Sequence, residues 1–469
     1  MSTSSSSGRA PTPLRVTVTL ALAAIAISPH SGRAVTYYVR QTVGDDAHDG
    51  TSPTTAWQHP NKLGTAMHAG DVAYVGPGFY RDNIIVMNDG TRDKRITFIA
   101  DSTGEHTGDP PGIVMIVGSD PVDGSIFAPR GAPGVYETPF PSIVLGVVEM
   151  DGNQFRYRRV NTTKEYHVDK MDPIDIVAKL PSSFHYDETT KMLYVHTSDD
   201  RPPTSHEIEL ERRDNGVGMM GKHYVTVIGF TFRHQGDSGI SFFIGSSDGV
   251  AINNTVWGSR QGIRVYGANN ILAYGNTLFR NENCGIYFAK ESLKGSVVHN
   301  IMYDNLLGGA RWSSRSTDGL ATDNIVFDNL DRGILIEDTE RIALLANELV
   351  NNKNSQILVR DSGYSSDVNC FQIGPDEPNQ LIAEYWYVDR YRTLRPYQEE
   401  KQLDLYSREG NCTPLPAKVD VHKVNAEAMA YAERARRILN GAPEGGTKKA
   451  NTPDSSPSTR GWFDWLLGR

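Results

Sequence analysis

The sequence predicts an all-β chain wound into a single-stranded parallel β-helix solenoid, with an inserted β subdomain and a C-terminal helix. Three observations carry that expectation. First, Gly followed by a small or apolar residue recurs at Gly239-Ile240, Gly262-Ile263, Gly285-Ile286, Gly309-Ala310 and Gly333-Ile334, at spacings of 23, 23, 24 and 24. Second, an Asn keeps time with it at Asn254, Asn276, Asn300, Asn324 and Asn347, spaced 22, 24, 24 and 23. Units that repeat this way cannot bury their own apolar faces and must stack on their neighbours. Third, each unit alternates apolar and polar residues with period 2, as in Ile263-Arg-Val-Tyr266 and Ile286-Tyr-Phe-Ala289, and Gly, Asn, Asp or Ser breaks every run. Three short strands and three turns fill one such unit. The Asn beat fits a ladder in which amides donate and accept between stacked turns, satisfying polar groups that would otherwise be buried unpaired.

From the N-terminus, Arg15, the apolar run Val16–Ile27 and the small residues near Ala34 read as a secretory signal over residues 1–34. The run is too short to span a bilayer, and no other stretch is longer, so no transmembrane segment is expected. A secreted, periplasmic or cell-surface location follows. Residues 36–118 form a first module. In it Tyr37–Val39 is a strand, Asn61–Ala69 a short helix, and 70–80 a strand, a turn and a strand. Residues 119–215 break the rhythm, and Tyr186–Val195 reads as a β-hairpin, so this stretch is an inserted subdomain. The repeats occupy 216–375. Residues 376–422 close the solenoid with a short helix over 391–401, because an uncovered last coil exposes an apolar layer and strand edges. An amphipathic helix is expected over 423–440 with Asn425 as its N-cap. A Gly/Pro/Ser/Thr-rich tail over 441–469, ending in Trp462–Leu467, reads as disordered.

The net charge of -9 gives no sign of nucleic-acid binding, and a monomer is expected. Of the three cysteines, Cys370 and Cys412 are the plausible disulfide pair in an oxidising compartment, and Cys284 reads as a packed thiol.

Tyr37–Val39 with Gly44–Thr51, followed by Gly70-Asp-Val72 and Pro77–Tyr80, resembles the first module of secreted β-helix polysaccharide lyases. The Gly-Ile and Asn coils resemble the repeats of the right-handed parallel β-helix, pectate-lyase-like superfamily. Thr393–Ser407 is similar to the closing helix and loop of its bacterial surface members. The resemblance spans most of residues 36–407. It implies a right-handed solenoid acting on polysaccharide. The superfamily holds lyases, hydrolases, epimerases and non-catalytic surface proteins, and no complete catalytic signature is present, so the fold does not choose among them.

Period 2 sorts the strand after each Gly. Ile240/Phe242, Ile263/Val265, Ile286/Phe288, Ala310/Trp312 and Ile334/Ile336 face inward. Ser241, Arg264, Tyr287, Arg311 and Leu335 form one outward column; Phe243, Tyr266, Ala289, Ser313 and Glu337 form the next. The preceding turns add His234, Asp237, Arg260 and Glu282, and the following ones Lys290 and Glu291. Guanidiniums flanking a phenol suit a sugar carboxylate, because Arg binds carboxylates bidentately. The preferred reading is β-elimination on a uronate-containing, acidic polysaccharide: Arg264 and Arg311 neutralise the carboxylate, and Tyr287, Lys290 or His234 takes the proton. Tyr266, Asp237, Arg260, Glu282 and Glu337 would line the substrate. The alternatives are hydrolysis by a carboxylate pair, such as Asp237 with Glu282 or Glu337 with Asp338, and a glycan-binding module without turnover. The turn carrying Asp45, Asp46 and Asp49 offers oxygens for a Ca²⁺ ion, although Asp and Gly also simply make turns.

Overall fold

The computed structural model describes residues 33–151, 155–160, 172–374, 377, 379–386, 388–427 and 430. The expected signal peptide lies outside them up to residue 32, as does the chain beyond 430.

Each coil lays one strand in each of three ten-stranded sheets. One runs from Thr36–Val39 to Tyr364–Asp367. A second, called here the site sheet, runs from Ile84–Val86 through Asn215–Met220, Ser238–Phe243, Gln261–Tyr266, Cys284–Ala289, Gly308–Trp312, Arg332–Glu337 and Ser355–Arg360 to Asp389–Tyr391. The third, the strap sheet, runs from Gly78–Tyr80 to Arg408–Glu409. Successive coils pair in parallel, with Ile240, Ile263, Ile286, Ala310, Ile334 and Ile357 in one register and Phe242, Val265, Phe288, Trp312 and Ile336 in another. These side chains are at most 1% exposed and fill the lumen. Packing like on like lets flat rings stack, as Phe288 and Trp312 do at 5.2 Å between centroids.

The Asn ladder is continuous. Each side-chain amide from Asn254 to Asn347 donates to the Oδ1 of the next Asn, ending on Asn369, at 2.8–3.1 Å. The same Oδ1 accepts the previous Asn backbone N–H, so one amide satisfies the turns of two coils. A second ladder, not expected from the sequence, runs through Asn281, Asn305, Asn329 and Asn352 and ends on Gln356. Its spacings of 24, 24 and 23 were present to be read.

Residues 119–211 leave the solenoid as two small, mainly antiparallel sheets around Phe184, Leu193, Val195 and Leu210, and the expected hairpin is Ser183–Asp187 with Met192–His196. Two helices are shorter than expected, Asn61–Ala66 and Leu394–Lys401. After the second, the chain turns back along the strap sheet. There Trp257, Phe279, Tyr303 and Phe327 stack outward under Val419 and Val421. Cys370 and Cys412 are joined by a disulfide at the start of this return. Thr413 N–H and Lys418 Nζ then bond Glu348 and Asp304. Residues 421–427 are helical. Asn425 is not the N-cap: Asp420 Oδ1 accepts from His422 and Lys423 N–H, and Asn425 Oδ1 accepts from the buried Arg233 at 2.7 Å. The remainder of that expected helix lies beyond the described residues. Among the described residues no helix is long and apolar enough to cross a membrane.

Candidate functional site

The outward face of the site sheet carries the columns the sequence assigns to it. Ser241, Arg264, Tyr287, Arg311 and Leu335 occupy consecutive rungs, and Phe243, Tyr266 and Ala289 lie beside them. Phe243 and Tyr266 stack with centroids 5.1 Å apart. The Arg264 guanidinium covers both rings, at 4.9 Å and 4.5 Å, and donates to Asp237 Oδ2 at 2.5 Å. Two rungs on, Arg311 lies 5.2 Å over Tyr287 and donates from Nε to Glu337 at 2.6 Å. Burial works against the Arg311 charge, but Glu337 outweighs it and holds the guanidinium pKa above its usual value. The Tyr287 hydroxyl accepts from Ser313 at 3.1 Å.

Both arginines are therefore already paired. Arg360 stands 3.9 Å from the same Glu337, and Arg332 and Arg390 hold Glu384. The face alternates cation and anion along the solenoid, with aromatic rings between.

One wall of this face comes from the insert. Arg156 makes a two-pronged pair with the buried Glu211 at 2.7 and 2.8 Å, and its other nitrogen contacts Glu282. Gly146 and Gly236 permit the approach: a Cβ at Gly146 would stand 2.0 Å from Glu211 Oε2, and one at Gly236 would stand 2.4 Å from Leu145 Cβ. Glu282 thus anchors the insert instead of facing a ligand freely, which corrects its expected role.

At the foot of the wall lies a pair the sequence reading missed. Asp214 precedes Asp237 by 23 residues, one coil, and its carbonyl accepts the Asp237 N–H at 2.8 Å. Asp214 as a residue is exposed, but partial desolvation of its carboxyl, and then the charge of Asp237, raise that carboxyl above the ordinary Asp range. Asp237 is held by Arg264. Two carboxyls on adjacent rungs thus differ in environment, the arrangement that separates an acid from a base. The repeat spacing itself was the signal that would have found Asp214.

Several expected residues do not join the site. His234 is 0% exposed, packed edge-on against Trp257 at 5.2 Å and beside Ser119 and Glu209. Burial pushes its pKa down to about 4, and no solvent path brings it to a ligand, so it is not the base. It belongs to a sealed cluster in which Arg81 bonds Glu209 at 2.7 Å and Ser119 bonds it at 2.5 Å. Lys290 and Arg260 are exposed on turns bordering the face. Glu291 is tied to Arg315 on the same rim as Lys290.

The acidic turn does not converge on an ion site. Asp45 Oδ1 accepts from Ala47 N–H, Asp46 from Gln58, His59 and the His59 ring, and Asp49 from Thr51 and Thr55. Asp45 and Asp49 close their own turns, and Asp46 ties this turn to the Gln58–His59 segment. Elsewhere Glu149, Asp151 and His206 do converge, but both ring nitrogens of His206 already face carboxylates, Asp151 at 2.9 Å and Asp199 at 3.1 Å. Cys284 is fully buried, and burial pushes its thiol up to about 12.

Comparison with known proteins agrees with this architecture. Residues 194–317 match the family model described as a right handed beta helix region. No curated protein matches the chain. The solved complex of XylC with xylose superposes with a TM-score of 0.53 at 16% identity, over 75% of this chain and 68% of that one. A pectate lyase, Pel9A, gives 0.46 at 10% identity over 82% and 80%, and a glycoside hydrolase 0.46 at 9% over 74% and 89%. The likeness in sequence is low throughout, and what is shared is the winding of the chain: this protein is a right-handed parallel β-helix.

Proposed function

We propose that the protein binds an extended polysaccharide along the outward face of the site sheet and cleaves it there by hydrolysis, with Asp214 and Asp237 as the acid–base pair. The observation that carries the binding is a pair of adjacent columns, one in which Phe243 stacks on Tyr266 and one in which Tyr287 stands between Arg264 and Arg311. Rungs repeat at ~4.8 Å, so the face presents ring after ring to a linear polymer. Aromatic faces accept the apolar sides of sugars, and the guanidiniums and carboxylates between them serve hydroxyls. For the reaction, adjacent rungs set the two backbones ~4.8 Å apart, which suits a retaining pair, in which one carboxyl acts as nucleophile and the other as acid and then base. The raised Asp214 carboxyl suits the acid, and Asp237, paired with Arg264, suits the nucleophile.

A second reading is β-elimination on a uronate, favoured by Arg264 and Arg311 on either side of Tyr287. It ranks second because Asp237 and Glu337 already neutralise those guanidiniums, leaving little charge for a substrate carboxylate. An extracellular or cell-surface place of action fits the Cys370–Cys412 disulfide.

The test is incubation with a panel of neutral and acidic polysaccharides, with and without Ca²⁺, reading both new reducing ends and ultraviolet absorbance of unsaturated uronate. Reducing ends without absorbance, lost in Asp214→Asn, support hydrolysis. Absorbance lost in Tyr287→Phe but kept in Asp214→Asn moves the assignment to elimination. Binding without either product leaves a glycan-binding module.

A further inference from the structure

Every arginine carried by a strand of the site sheet already has a carboxylate. Arg264 donates to Asp237 and Arg311 to Glu337, and Arg360 stands 3.9 Å from the other oxygen of Glu337. Arg332 and Arg390 hold the two oxygens of Glu384 at 3.3 and 3.2 Å. No lysine or histidine lies on these strands. Glu337 and Glu384 stand in the outward columns, in register with Arg360 and Leu358, yet each is only 5% exposed. A carboxylate so enclosed depends on its cations: a guanidinium drawn away from it leaves a charge with neither partner nor water.

We propose that the face selects an uncharged polysaccharide, and that Glu337 and Glu384 enforce the choice by holding its guanidiniums. The inference rests on the reading of the face as a polysaccharide groove. A substrate carboxylate would be met only by an arginine released from Asp237, Glu337 or Glu384, and it would then lie beside the carboxylate so abandoned. A hydroxyl asks for no such exchange. It accepts from a guanidinium N–H left over from the salt bridge and donates to a carboxylate lone pair, and the alternation of the two along the face offers both side by side. Phe243 and Tyr266, stacked within 8° of parallel, supply the apolar half of the contact, a flat platform for the C–H side of a sugar ring. The wall repeats the pattern, since Arg156 is shared between Glu211 and Glu282. Lys290 and Arg260 stand on the bordering turns, off the strands and exposed, where water and salt screen them.

The experiment measures binding of the full chain to a panel of neutral and carboxylated polysaccharides, from low to high salt. The panel includes matched pairs: a galacturonan with its carboxyls methyl-esterified or free, and a xylan without or with glucuronate side groups. It is repeated with Glu337→Gln, Glu384→Gln and Tyr266→Ala, and thermal melting checks their fold. We expect neutral polymers to bind at least ~10-fold tighter than carboxylated ones, with an affinity that salt leaves unchanged. Glu337→Gln keeps an acceptor for Arg311 and frees the charge of Arg311 and Arg360. Carboxylated polymers should therefore gain affinity in it, and the gain should shrink as salt rises. Glu384→Gln does the same for Arg332 and Arg390, and carries the test if the first variant melts early. Carboxylated polymers bound by the parent protein as tightly as neutral ones, with Tyr266→Ala weakening both, overturn the inference and leave the groove standing. A neutral preference that neither glutamine variant changes overturns it as well. No binding to any polymer, or binding that Tyr266→Ala leaves untouched, overturns the groove and the inference together.

Discussion

Arg264 donates to Asp237 at 2.5 Å while its guanidinium lies over the ring of Tyr266, so one side chain orders the acidic foot of the face and the aromatic row above it. A planar fork does both; an ammonium does neither well. Arg264→Lys keeps the charge and loses the fork and the stack. We expect at least tenfold weaker glycan binding and a lower cleavage rate with an unchanged melting temperature, read by calorimetric titration and product assay.

Asp214→Asn and Asp237→Asn should each lower cleavage by about 10²–10⁴-fold, with glycan affinity changed little. The Asp214 carboxyl is raised by partial desolvation and by Asp237, so as the acid it works protonated, and the rate falls as pH rises through that elevated value. In Asp237→Asn the second cause is removed. The Asp214 carboxyl resonance should then titrate at lower pH than in the parent protein, as carbon-detected NMR would show.

Acid should destabilise the fold through His234. Its folded pKa of about 4 lies below the unfolded value of about 6.5, so between those values the unfolded chain binds the proton and the folded one does not. Stability therefore falls as pH drops from 6.5 toward 4, by about 3 kcal/mol. Glu209 acts in the same direction. Burial opposes its ionisation, but His234, Arg233 and Arg81 hold it below the usual carboxylate range, and that stability is also lost in acid. Melting from pH 7 to pH 4.5 in the parent and in His234→Gln checks this; a slope as steep in the variant would remove His234 as the cause.

Reduction of Cys370–Cys412, or Cys412→Ser, frees the segment that covers Trp257, Phe279, Tyr303 and Phe327. A closed loop of 42 residues makes the bond worth about 4 kcal/mol in chain entropy. We expect a lower melting temperature and increased binding of a hydrophobic dye. Cleavage on the site sheet should persist at temperatures where the solenoid stays folded.

Breaking the polar spine should cost more than trimming the surface. Asn300 Oδ1 accepts from both the backbone and the side chain of Asn276, and its own amide donates to Asn324. Asn300→Ala leaves buried groups on both sides without partners, at about 1–3 kcal/mol each. Chemical denaturation of this variant against Asn270→Ala, whose side chain lies on an exposed turn, measures the difference.

The coils, their register and the inward and outward columns were legible in the repeat, because a stack of like coils brings residues one period apart onto adjacent rungs. Arg264, Tyr287 and Arg311 fall on one face for that reason alone. The second Asn ladder and Asp214 obey the same spacing and went unread only because the period was not applied to every polar position. What tertiary structure decided was the company each residue keeps. Nothing in the period says that Asp237 and Glu337 already hold the two arginines, since a carboxylate and a guanidinium meet across rungs by side-chain reach. Nothing in it says that His234, on a turn, is sealed by Ser119 and Glu209 from the insert, or that Glu282 is claimed by Arg156, because residues 119–211 lie outside the repeat. The repeat determined where side chains stand along the solenoid; the insert and the returning C-terminal segment, which follow no period, decided which of them remain open to a ligand.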